Sequence, residues 1–184
     1  MFQFSIPTLA LLHQAGWSED YRYDTTEWES LLKGAGYTIH TVALDFMQRF
    51  ASLVITYPHP NVPTVTEELK FTVSYGIGNT GKDRARHASR YISELWRGVE
   101  GCDIGTFNTD DFRLMMDASG VVYGYGDVDF RVGDSGEEAI EHICSRNYGE
   151  DLAPRYAALM NAPQVPTGYW FNPDDLARRF KPNA

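Results

Sequence analysis

Between Cys102 and Ile143 four short β-prone runs, CDIGTF, FRLMMD, VVYGYG and VDFRV, follow one another with turn-sized gaps and lead into the helix-like GDSGEEAIEHI. Gaps that small join antiparallel neighbours but are too short for the crossover a parallel pair needs, so the stretch constrains the chain to an antiparallel meander. Turn chemistry agrees. Asn108-Thr109-Asp110-Asp111 and Asp117-Ala118-Ser119-Gly120 are rich in side chains that bond their own backbone, and the second has the Asp-first, Gly-fourth order of a type I turn. Ser135, three residues before Glu138, predicts a capping box that opens the closing helix.

The chain before this stretch reads as helices and then strands. Pro7 and Thr8 open a helical run with Leu9, Leu12 and Ala15, which Gly16 ends in a left-handed conformation with Trp17 folding back as the apolar partner of the cap. Thr26 and Glu29 stand at capping-box spacing, and Trp28, Leu31, Leu32 and Ala35 form a helical stripe ended by Gly34 or Gly36. Ala43, Phe46, Met47 and Phe50 repeat that spacing in a third helix. LVITY reads as a strand stopped by Pro58, and Leu69, Phe71, Val73 and Tyr75 alternate with Lys70, Thr72 and Ser74 in the manner of a half-buried strand. The loop GIGNTGK then leads to a locally basic helix with Ala85, Ala88, Ile92 and Leu95 on one side. The fold class expected is α+β, a mainly antiparallel twisted sheet of about six strands with helices packed against it. Residues 1–146 are expected to form the domain, and 147–184, rich in proline and aromatics, an extension packed on it.

The formal net charge of −9 argues against nucleic acid as a direct partner, because phosphate affinity rests on basic surface. The charge is concentrated. Asp103, Asp110, Asp111, Asp117, Asp127, Asp129, Asp134, Glu137, Glu138 and Glu141 stand against only Arg113 and Arg131, a balance of −8 within the meander and its helix. Asp127, Asp129 and Arg131 share one strand face while Val128, Phe130 and Val132 share the other. Aspartate is a poor strand residue, so that face is wet or bound. Exposed sheet faces are ordinarily polar, which solvation alone explains; the nearby Tyr123 and Tyr125 point instead to an interface, where tyrosine is enriched. Cys102 and Cys144 are too few for a disulfide framework, and no stretch has the pattern of a leader or a membrane span, so a cytoplasmic protein is expected.

Motifs of catalysis and ligand binding are sparse. Gly76-Ile77-Gly78-Asn79-Thr80-Gly81 has the spacing of a dinucleotide fingerprint between a strand and a helix. Its strand alternates polar and apolar residues, whereas a parallel nucleotide-binding strand is buried on both faces, and the later strands lack intervening helices. A flexible loop is the better reading. Glu138 and His142 share a helix face as a metal pair would, but two ligands do not make a site. No nucleophile elbow, zinc-protease motif or catalytic cysteine setting is present.

In order, LLHQAGWSEDYRYD, GYTIHTVALDFMQRFASLVI, ELKFTVSY, CDIGTF, FRLMMDASGVVY and GDSGEEAIEHI resemble the SUKH superfamily of bacterial immunity proteins, in its third subgroup. The matched residues are Ala15-Gly16-Trp17, Arg22, Asp24, Val42 to Phe50, Leu53, Ile104-Gly105, LMMDASGVVY, Ser135, Glu138 and Ala139. Ala51-Ser52 stands where the family usually has a Gly-Gly pair, and nothing after Asn147 has a counterpart. The resemblance implies an α+β fold and a non-enzymatic role: binding a cognate toxin, often a nuclease or nucleobase deaminase, inside the producing cell. An acidic face suits a basic, nucleic-acid-directed toxin, which makes Asp110, Asp111, Tyr123, Tyr125, Asp127 and Asp129 the expected partner-binding residues. No catalytic residue, cofactor, metal or membrane contact is expected, and the chain is expected as a monomer or weak homodimer. The alternatives are an enzyme using a nucleotide cofactor at Gly76 to Gly81, and a regulatory domain of the same fold.

Overall fold

The computed structural model describes residues 2–59, 64–72, 101–107, 112–125 and 130–145. The Gly76 to Gly81 loop, the basic helix after it, the Asn108 to Asp111 turn and the segment beyond 145 lie outside the described residues. Within them, helices α1 (Ile6–Gln14), α2 (Thr26–Ala35) and α3 (Thr41–Phe50) come first. Strands β1 (Val54–Pro58), β2 (Thr66–Lys70), β3 (Gly101–Phe107), β4 (Phe112–Asp117), β5 (Val122–Tyr125) and β6 (Phe130–Gly133) follow, and helix α4 (Gly136–Ser145) closes the domain. The six strands form one sheet in chain order, every neighbouring pair antiparallel. This is the α+β meander the short gaps require. The sheet curls, and α1 touches both β1 at one edge and α4, which packs on β6 at the other.

Local chemistry ends the helices as expected. The Gly16 and Trp17 N–H groups donate to the His13 and Leu12 carbonyls at 3.0 Å with Gly16 at φ 91°, and Gly36 and Tyr37 repeat the arrangement on Lys33 and Leu32 with Gly36 at φ 86°. Glycine takes the left-handed conformation that closes such a cap without a Cβ clash. The chain is thereby turned so that Trp17 stacks on Phe50, rings 5.8 Å apart and 6° from parallel. Phe46, Phe50 and Phe71 interlock behind it, with Phe46 and Phe71 edge to face at 5.0 Å. All four apolar positions of the α3 stripe are buried.

Two helix starts differ from expectation in their details. Thr26 does not cap α2; it is the first helical residue, and the Asp24 carboxylate accepts its N–H at 3.0 Å and its hydroxyl at 2.6 Å. Those two hydrogen bonds, the hydroxyl's first, hold the Asp24 carboxyl below its usual range. At α4 the Ser135 hydroxyl accepts from the Glu138 N–H at 3.1 Å as predicted, but Glu138 reaches back to the Asp134 N–H, at 2.5 Å, rather than to that of Ser135.

The strands show where pairing overrides propensity. β2 begins at Thr66 and includes Glu67 and Glu68, poor strand formers, because each is matched to a β1 residue in the register Pro58↔Thr66 to Val54↔Lys70. Between Asp103 and Gly105 the β3–β4 register shifts, the mark of a bulge at Ile104. β3 is buried along its whole length.

Candidate functional site

The predicted partner-binding residues are only partly described. Asp110, Asp111, Asp127 and Asp129 lie outside the described residues, and of Tyr125 the structure describes the backbone, in β5 opposite Arg113. Tyr123 is half-buried, and its hydroxyl donates to Asp117 Oδ2 at 3.2 Å. Asp117 organises the turn between β4 and β5: its Oδ1 accepts from the Ser119 N–H at 2.8 Å, the Ser119 hydroxyl at 2.6 Å and the Val121 N–H at 3.0 Å. The side chain therefore belongs to the turn rather than to an open acidic face.

The other described acids of the meander are likewise engaged within the chain. Asp103 is 2% exposed, pairs with the Arg113 guanidinium on β4 and accepts from the Gly105 N–H at 3.3 Å. Burial raises its carboxyl above the usual range, and Arg113 opposes that shift. Asp134 pairs with Arg131, Glu137 with Arg49 at 2.5 Å, and Glu141 accepts from the Ser5 N–H at 2.9 Å, which ties the start of α1 to α4. Asp117 is thus the turn residue its sequence context predicts, and Asp103 is a buried partner of Arg113. Sequence spacing places charge on a strand, but the bulge and the turn decide which way it faces.

The described cysteines and histidines have structural surroundings. Burial pushes the Cys144 thiol up to about 12 and lifts that of Cys102 well above its usual value, which keeps both in the unreactive thiol form at neutral pH. His142 Nδ1 sits 2.5 Å from the Val132 carbonyl oxygen, tying α4 to β6, and its Nε2 lies 3.9 Å from Glu138. The His142 contact with Val132 is a helix-to-strand tether. Among the described residues no three histidine, cysteine or acidic side chains converge as metal ligands.

A concave feature that the sequence patterns do not single out lies elsewhere. A cleft of about 300 Å³ opens between α2 and the link from α3 to β1, walled by Tyr23, Trp28, Leu31, Met47, Leu53 and Phe71, with Glu27, Ser52 and Lys70 also lining it. At its edge Leu31 is 37% and Val54 46% exposed, high for residues of those types. Trp28 is buried, and its indole N–H has no acceptor among the described residues. Ser52 holds φ 65°, the left-handed region, where its N–H donates to the Phe71 carbonyl at 2.9 Å. Two signals in the sequence bear on it: Leu31, one residue too many for the buried stripe of α2, and Ala51-Ser52 in place of two glycines.

No helix among the described residues is long and apolar enough to cross a membrane. No curated protein and no solved structure matches the chain. A family model does, that of the SUKH-3 immunity protein, over residues 4–146, a span that takes in all four described helices and the six strands. By that match, and with an antiparallel sheet and helices of the kind the family resemblance implies, the chain belongs to the SUKH-3 immunity protein family.

Proposed function

We propose that this protein neutralises a nuclease or nucleobase deaminase toxin by binding it in the cytoplasm of the producing bacterium and covering its active site. The observation that carries the reading is membership of the SUKH-3 immunity protein family across residues 4–146. Charge supports the class of toxin. A protein that acts on nucleic acid presents basic surface to phosphate, and a chain of net charge −9 is electrostatically complementary to such a surface. The protein acts by occupancy rather than chemistry, with Asp110, Asp111, Tyr123, Tyr125, Asp127 and Asp129 as contact residues on the meander.

Co-expression with the product of a neighbouring toxin gene tests this directly. Cells carrying both genes are expected to grow, and the two proteins to co-purify. A toxin equally lethal with and without this protein would falsify the reading.

A further inference from the structure

The cleft beside α2 is chemically lopsided. Its walls are apolar and aromatic, and its two charges are not equivalent. Lys70 Nζ is paired with Glu68 at 2.8 Å, whereas the exposed Glu27 carboxylate has no hydrogen bond or ion pair among the described residues. The cleft volume, about 300 Å³, stands at the lower bound of small-molecule sites, which suits an inserted side chain better than a nucleotide.

We infer that this cleft receives an arginine or lysine side chain of the partner protein, with its methylene stem against Leu31 and Val54 and its charged head on Glu27. Long basic side chains bury an apolar stem while keeping the head at a polar rim, a division that matches the lining. The half-buried ring of Tyr23 adds attraction for a cation. An apolar side chain would leave the Glu27 carboxylate partly stripped of water without a counter-charge, and an acidic one would be repelled. Ser52 adds a hydroxyl to the lining at a position where its backbone conformation favours glycine, and strain of this kind gathers at binding sites.

The inference rests on the reading of the protein as a toxin-binding partner, and two experiments separate the two. The first needs no toxin: N-acetyl-arginine methylamide is titrated into the full chain, labelled with ¹⁵N, while the Trp28 indole N–H resonance is followed. A saturable shift is expected, weakened in Glu27→Gln and strengthened in Lys70→Gln, which removes a positive charge from the lining. No saturable shift, an equal response to N-acetyl-norleucine methylamide, or a response unchanged by Glu27→Gln overturns the inference. The second uses the neighbouring toxin. Glu27→Lys, an exposed change whose fold is checked by circular dichroism, is expected to weaken binding about tenfold or more. Binding indifferent to Glu27→Lys removes the cleft from the interface and leaves the immunity reading standing. A toxin that fails to bind even the unaltered protein defeats the immunity reading and, with it, the cleft as a partner site.

Discussion

Ser52 and Asp103 show two ways in which a single residue is held against its own preference. An L-residue in the left-handed region costs about 1–2 kcal/mol, while glycine's extra freedom in the unfolded chain costs about 0.5–1 kcal/mol. The backbone strain outweighs the entropy, so Ser52→Gly is expected to stabilise the protein by about 0.5–1 kcal/mol, read as a higher urea midpoint with an unchanged m-value. If the cleft binds a partner as inferred, the same variant gains stability without gaining affinity. Asp103 is held differently, as a buried charge answered by Arg113. Arg113→Met leaves that charge without its partner and is expected to cost about 3–5 kcal/mol. The pH dependence has a definite sign. A carboxyl whose folded pKa is raised supports stability below its ordinary range and withdraws that support as pH rises through the folded value. Removing Arg113 raises the folded value further, so the deficit of the variant is largest at neutral pH and shrinks on acidification. A deficit constant between about pH 4 and pH 8 would contradict the buried-charge account.

At the scale of elements, the seam between β2 and β3 is a close-packed joint. A Cβ placed on Gly105 would lie 2.1 Å from the Lys70 carbonyl oxygen, a backbone atom that can retreat only if the strand does. Gly105→Ala is therefore expected to cost about 1–3 kcal/mol as an overpacking change. The loss should be regional: amide exchange in β1 and β2 is expected to rise more than in β4 and β5. Uniform acceleration across the sheet would argue against a local seam. Much at this scale was legible in the sequence. The α3 stripe, the glycine stops after α1 and α2, the turn at Asp117 and the Ser135 cap all follow from contacts within a few residues. The start of β2 was not legible. Glu67 enters a strand because β1 pairs with it and because the Tyr57 hydroxyl lies 3.3 Å and His59 Nε2 3.4 Å from its carboxylate.

For the whole molecule, the net charge acts at distance even where individual acids have internal partners, because pairing within the chain leaves the total unchanged. The association rate with a basic toxin is expected to fall several-fold as salt is raised through the physiological range, where the screening length is about 8 Å. Replacing Asp127 and Asp129 together with Asn should slow association more than it speeds dissociation if they lie at the rim of the interface. Stopped-flow measurement separates the two rates, and a salt-independent on-rate would show that contact rather than charge steers the encounter.

By itself the sequence determined the order and type of the described elements, the glycine stops of α1 and α2, the turn at Asp117 and the antiparallel meander from β3 to β6, because each depends on neighbours within a turn or on gaps too short for any other connection. Tertiary structure alone decided which charges are surface charges and where a cleft opens. Asp103 is buried because a bulge in β3 and an arginine ten residues on bring the pair together. Glu27 borders a cavity because α2 stands beside the link to β1, and Ser52 is strained because its N–H must meet Phe71. Such contacts join residues far apart in the chain, and no local pattern encodes them.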